Sequence, residues 1–161
     1  MGISLVMCTL SQKREAMLRY DPTLVWELSR EVSGYLAIGK AWDALRVAVS
    51  PFDKDELVGR LFAGMLGRSF GEPGAYGRPR IAPNDEVVRV ARAAANVPPR
   101  FIRANVERLR DQGVHSDFFL VDPEFEDDAA QIEALERTFL RVRDLVAGAA
   151  EHGEAILLVL R

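Results

Sequence analysis

Residues 132–160 read IEALERTFLRVRDLVAGAAEHGEAILLVL, and this stretch decides the architecture. Ile132, Leu135, Phe139, Val142, Val146 and Ala149 step by three and four, so they line one face of a helix about six turns long. Asp122, Glu124, Glu126, Asp127 and Asp128 stand just before it, where the partial positive charge of a helix N-terminus favours carboxylates. Gly153 ends the helix. Ala155–Leu160 then supplies six apolar residues in succession, the pattern of a strand buried on both faces in the middle of a sheet. This end of the sequence is therefore core.

Working outward, residues 3–9 form a near-continuous apolar run of strand length, and Thr9 with Gln12 has the capping-box spacing that opens a helix. Asp21-Pro22 restarts helical geometry with a capping carboxylate and a proline at the first helical position. Leu24, Val25 and Leu28 give that turn an apolar face, and Ser33-Gly34 ends it. Residues 35–38 predict a short strand. Ala41, Leu45, Ala48 and Val49 predict a helix stopped by Pro51. Residues 53–65 combine helical spacing with helix-weakening glycines, which predicts a short helix and then a strand near 61–66. Four glycines and two prolines make residues 67–80 mainly loop. Pro83 opens a helix through Ala94, residues 99–112 form another closed by Gly113, and residues 117–121 have the aromatic character of a strand. The sum is an α+β fold, a small mixed sheet covered by helices, in one domain spanning 1–161.

The chain has 161 residues, enough to bury a core without staples. Its hydrophobic fraction of 48% and charged fraction of 28% belong to an ordinary globular protein. A formal charge of −3 leaves no broad cationic excess to displace counterions, which argues against nucleic acid as a partner. Cys8 is the only cysteine, so no intramolecular disulfide forms and a cytoplasmic location is expected. The first ten residues lack the basic start and cleavage site of a leader and read as a strand. No apolar run approaches the roughly 20 residues that cross a bilayer, so no membrane role is expected. Arginine outnumbers lysine about sixfold, a composition typical of GC-rich bacterial genomes.

His115 and His152 have no metal-ligand spacing, so neither a metal nor a cofactor is expected. His152, at the end of the long helix, suits the exposed carbonyls there. Cys8 lies in an apolar strand, where a thiol behaves as a small hydrophobe. The glycine loop lacks the Lys-Ser/Thr of a phosphate cradle, and the acidic cluster lacks the spacing of a calcium loop. Lys40, Trp42, Asp43, Tyr76, Arg78 and Arg80 are the candidate ligand-binding set. If the helix start at 40–43 faces the arginine-bearing loop, cations and aromatic edges line one cleft suited to an anionic or planar partner. The alternative is that Trp42 and Tyr76 rim the core while the arginines are solvated.

Three segments carry a resemblance: LAIGKAWDAL at 36–45, YGRPRIAPNDEV at 76–87, and the ending AAEHGEAILLVL. In this order and spacing the chain resembles the YfbM-like family of uncharacterised bacterial proteins (domain of unknown function 1877). The resemblance implies an α+β fold with no established activity. In that family polar positions, often histidine, follow the tryptophan; here Asp43 and Arg46 stand on that helix, so no histidine-based mechanism carries over. The favoured reading is a non-catalytic domain binding a protein or a small anionic ligand, one form of which is an immunity-type protein that caps a toxin. The competing reading is a small enzyme in which Arg78 and Arg80 position an anionic substrate while Tyr76 or Asp43 moves a proton.

Overall fold

The final strand organises the molecule. In the computed structural model, which describes residues 3–28, 34–39, 41–111 and 128–161, the last strand lies at the centre of a five-stranded sheet. The strands are β1 (Leu5–Leu10), β2 (Tyr35–Ala37), β3 (Arg68–Ser69), β4 (Arg80–Ala82) and β5 (Ala155–Leu160), in the spatial order β2-β1-β5-β4-β3. β1 and β5 pair along their full lengths, from Leu5 opposite Leu160 to Leu10 opposite Ala155. Backbone bonds between Ser4 and Arg161 at 2.7 and 3.0 Å carry the ladder one step further. The α+β class holds, and the sheet, anticipated as mixed, is antiparallel at each of these four pairings.

Alternation along the strands divides the core in two. Leu5, Met7, Ala82, Ile156 and Leu158 face one side, where they pack with α3 (Ala41–Val49), α4 (Leu57–Phe62), α5 (Asn84–Ala95), α6 (Pro99–Asp111) and α7 (Asp128–Glu151). Val6, Cys8, Leu10, Ile81, Leu157 and Val159 face the other side, against α1 (Gln12–Tyr20) and α2 (Val25–Leu28) through Leu18 and Val25. A strand covered on both faces must be apolar at every position, as β5 is. The expected seam of α7 is equally direct, with Ile132, Phe139, Val142, Val146 and Ala149 all buried.

The junction between α7 and β5 has a specific device. Gly153 adopts φ of 67°, Glu154 N–H donates to the Ala149 carbonyl at 2.8 Å, and Gly153 N–H to Ala150 at 3.3 Å. These are the two bonds of a Schellman cap. His152 Nδ1 lies 2.7 Å from the Gly148 carbonyl and joins the same cap. Asn84 Nδ2 donates to the Glu154 carbonyl at 3.0 Å, which fastens the start of α5 to this turn.

Several boundaries differ from expectation. α1 is capped by Ser11, whose hydroxyl accepts from Arg14 N–H at 3.3 Å, while Thr9 remains in β1. The strand anticipated near 61–66 is absent: Leu61 and Phe62 belong to α4, and pairing begins only at Arg68. The loop at 67–80 instead opens with β3 and closes with the first residue of β4. Asp53 explains why α4 starts where it does. Its buried carboxylate accepts from Val58 N–H at 3.1 Å and Gly59 N–H at 2.6 Å. The predicted strand at 117–121, the Gly113 cap, His115, and the acidic residues from Asp122 to Asp127 lie outside the described residues, as does Ser33.

Two glycines test this account. A side chain at Gly153 meets open space, so Gly153→Ala pays only for left-handed backbone and lowers stability by about 1 kcal/mol. At Gly67, φ 76°, a Cβ runs into the backbone of Ile81 across the hairpin, so Gly67→Ala is the more damaging change. Urea unfolding curves of the two variants check this order.

Candidate functional site

Of the six residues singled out in the sequence, Trp42, Asp43 and Arg80 serve separate structural tasks. Lys40 lies outside the described residues. Trp42 is half-buried at the start of α3, packs against the helix-rich side of the core, and donates from Nε1 to the Ile3 carbonyl at 3.1 Å. Asp43 accepts from Arg46 at 2.7 Å across one turn. Arg80 turns its guanidinium inward over the β3–β4 hairpin, donating to Leu66 O at 3.4 Å, Gly67 O at 2.5 Å and Ser69 Oγ at 3.1 Å. Among the described residues of the set, Tyr76 and Arg78 are exposed, Tyr76 in the tip closed by Gly74 and Gly77 and Arg78 just after it.

That loop packs on the opposite side of the sheet from Trp42. Gly71 lies against Pro22 and Gly74 against the Trp26 ring, and Trp26 belongs to the core of the α1–α2 side. A Cβ at Gly74 would enter the indole, which accounts for the glycine there. β2, which leads to Trp42, and β4, which follows the loop, are separated by β1 and β5, a distance of roughly 14 Å. Trp42 and the Tyr76 loop therefore do not line one cleft. Asp43 and Tyr76 sit on segments covering opposite faces, so the proton-moving pair of the enzyme reading is not assembled.

Cys8 is fully buried, and its Sγ donates to the Leu28 carbonyl at 3.8 Å. Burial pushes the thiol from 9.0 up to about 11, against the smaller opposing pull of Arg161 and Arg14. This is the environment of an inert packing residue. Among the described residues no group of three or more His, Cys, Asp or Glu could hold a metal ion.

Among the described residues a shallow concave surface lies on α1 and the turn after it. Lys13, Ala16, Met17, Tyr20, Asp21 and Leu24 line an open groove of about 560 Å³. Tyr20 is 93% exposed and Met17 is 44% exposed, although both are large and apolar in body. Leu18 points the other way, into the core. Asp21 forms the corner: its carboxylate accepts from Thr23 N–H at 3.0 Å and Thr23 Oγ1 at 2.6 Å, starting the 3-10 turn Pro22–Leu24 that carries Leu24 to the groove. The available signal for this surface was that Ala16, Met17, Leu18 and Tyr20 spread apolar area around more of α1 than one core contact can cover.

Among the described residues, an antiparallel five-stranded sheet with five helices on one side and two short ones on the other defines the class. The chain belongs to the family described as Domain of unknown function (DUF1877), which it matches over residues 1–159. Among solved structures it is similar to a protein of unknown function, YfbM from Escherichia coli, at 14% identity over 99% of each chain with a TM-score of 0.60. That likeness establishes the fold. No curated protein matches the chain.

Two outcomes follow from these placements. Arg80→Ala releases two loop carbonyls and lowers stability by about 1–2 kcal/mol, whereas Arg78→Ala at the exposed tip stays within about 0.5 kcal/mol of wild type; chemical denaturation distinguishes them. For Cys8 the unfolded thiol ionises near 9.0 and the folded one near 11, so the unfolded state loses its proton first. Stability therefore holds below about pH 9 and declines from there toward about pH 11. Cys8→Ala removes that part of the alkaline decline, as read from urea midpoints across this window.

Proposed function

We propose that this chain is a non-catalytic protein-binding domain that acts as one unit and engages its partner through the groove on α1. The single observation supporting this is the exposure of Tyr20 and Met17 beside Leu24, with Lys13 and Asp21 at the margins. Tyrosine and methionine at the centre with charges at the rim is the composition of protein interfaces, and an isolated apolar patch of this kind is otherwise a solubility cost. The neighbouring loop with Tyr76 and Arg78 packs on the same side of the sheet through Pro22 and Trp26. It is thus placed to add contacts at the edge. A small anionic ligand finds less support, because Arg80 is committed to carbonyls and Trp42 to Ile3.

Photocrosslinking tests the reading. A benzophenone side chain replacing Tyr20 is expected to capture a defined protein in cells, and the same group replacing the exposed Arg137 on α7 is not. Absence of any protein adduct at position 20, or identical adducts at both positions, overturns the assignment.

A further inference from the structure

The methionines of the chain sit in different settings. Met7 is fully buried in the helix-rich core. Met65 is exposed in the turn after α4, and α4 packs on the opposite side of the sheet from α1. Met17 is also exposed, but it lines the α1 groove together with Ala16, Tyr20 and Leu24. Leu18 takes the core contact of α1, so the Met17 thioether contributes to the surface and not to the support of the fold.

The groove depends on that thioether being apolar. Its walls are the apolar bodies of Ala16, Tyr20 and Leu24, and the Asp21 carboxylate at its corner is already engaged by Thr23 N–H and Oγ1. Contact through it therefore draws on water expelled from apolar area. Methionine differs from Ala16 and Leu24 in one chemical respect: oxidation turns its flexible apolar side chain into a polar sulfoxide, and the change is reversible. An oxygen at position 17 lies within the area a partner has to cover, where burying a polar group is costly.

We infer that Met17 is a redox-controlled residue of the α1 groove, admitting the protein partner as the thioether and excluding it once a hydroperoxide has converted it to the sulfoxide. The inference rests on the protein-binding reading above and names the regulation of that site. In the forward step a sulfur lone pair attacks the terminal peroxide oxygen. The S–O bond forms as the O–O bond breaks, and the proton of the transferred oxygen passes to the departing one, which leaves as water or an alcohol. Sulfur is oxidised by two electrons and the peroxide is reduced by two. Reversal takes a thiol-dependent sulfoxide reductase, in which two thiols become a disulfide and the oxygen leaves as water. Cys8, the only thiol of the chain, is fully buried and does not supply those electrons. A seated partner covers Met17, so the oxidation acts on the free chain.

Two measurements test this. Dilute hydrogen peroxide applied to the folded full chain, followed by peptide mass analysis, is expected to add one oxygen to Met17 and to Met65, while Met7 reacts only after unfolding in urea. The second measurement follows the protein captured by the position-20 crosslink, now as the amount retained from cell lysate on the immobilised chain without the crosslinker. Oxidised, peroxide-free chain is expected to retain about tenfold less of it, and sulfoxide reductase with a dithiol restores the yield. Met17→Leu keeps the apolar bulk, so its retention survives peroxide. Met17→Gln is polar from the start and gives the low yield without oxidant, whereas Met65→Leu leaves the peroxide response unchanged. Urea midpoints of these variants close to wild type separate a lost contact from a lost fold. The inference is overturned if Met17 reacts no faster than Met7, if oxidation leaves retention unchanged, or if Met17→Leu loses its partner to peroxide as the wild type does. In each of those cases the untreated chain still holds its partner and the protein-binding reading stands. If the untreated chain captures and retains nothing, both fall.

Discussion

The pairing of β1 with β5 is the constraint on which the rest of the structure depends. It joins residues near opposite ends of the sequence through six paired positions, and both strands are buried on both faces. Once that register is set, alternation assigns every strand residue to one of two cores. A slip by one residue would exchange the two sets and turn Leu5 and Met7 toward α1 and α2. Such distant pairing carries a large loop-closure cost before any contact rewards it. α7 ends only four residues before β5 begins, so the packing of that helix fixes where the strand enters the sheet.

What was legible in the sequence follows from how strongly each segment's own chemistry constrains it. α7 and β5 announce themselves because one repeats at helical spacing without a break and the other is apolar at every position. β3 and β4 do not. Arg68, Ser69 and Arg80 have no strand signature, and they pair because the Arg80 guanidinium gathers the carbonyls of Leu66 and Gly67 while Glu86 accepts from Gly67 N–H at 3.0 Å. Those bonds span the hairpin or reach from α5, so no local window contains them. The cap of α1 was misplaced by two residues for a similar reason: Thr9 has the right spacing but is held in the ladder, and Ser11 takes the role.

The candidate cleft failed for a topological reason. Linear order cannot say on which side of a sheet a helix or loop will lie, and here Trp42 packs over one face while the Tyr76 loop packs over the other. The residue types were also misleading. An arginine beside glycines and a tryptophan beside a lysine suggest ligand contacts, yet both polar groups satisfy backbone carbonyls that would otherwise be left without donors. The groove on α1 has no motif signature in the sequence because its residues are individually ordinary. Its character comes from Leu18 taking the core contact and leaving Met17 and Tyr20 uncovered.

The lengths of the outer strands carry one more consequence. β2 and β3, at the two margins of the sheet, contain only three and two residues. Among the described residues, such short margins leave little unpaired backbone as a template for an incoming strand or for fibrillar growth by sheet extension. The long, apolar β5 would be the hazardous segment if it were marginal, and it is enclosed between neighbours on both sides.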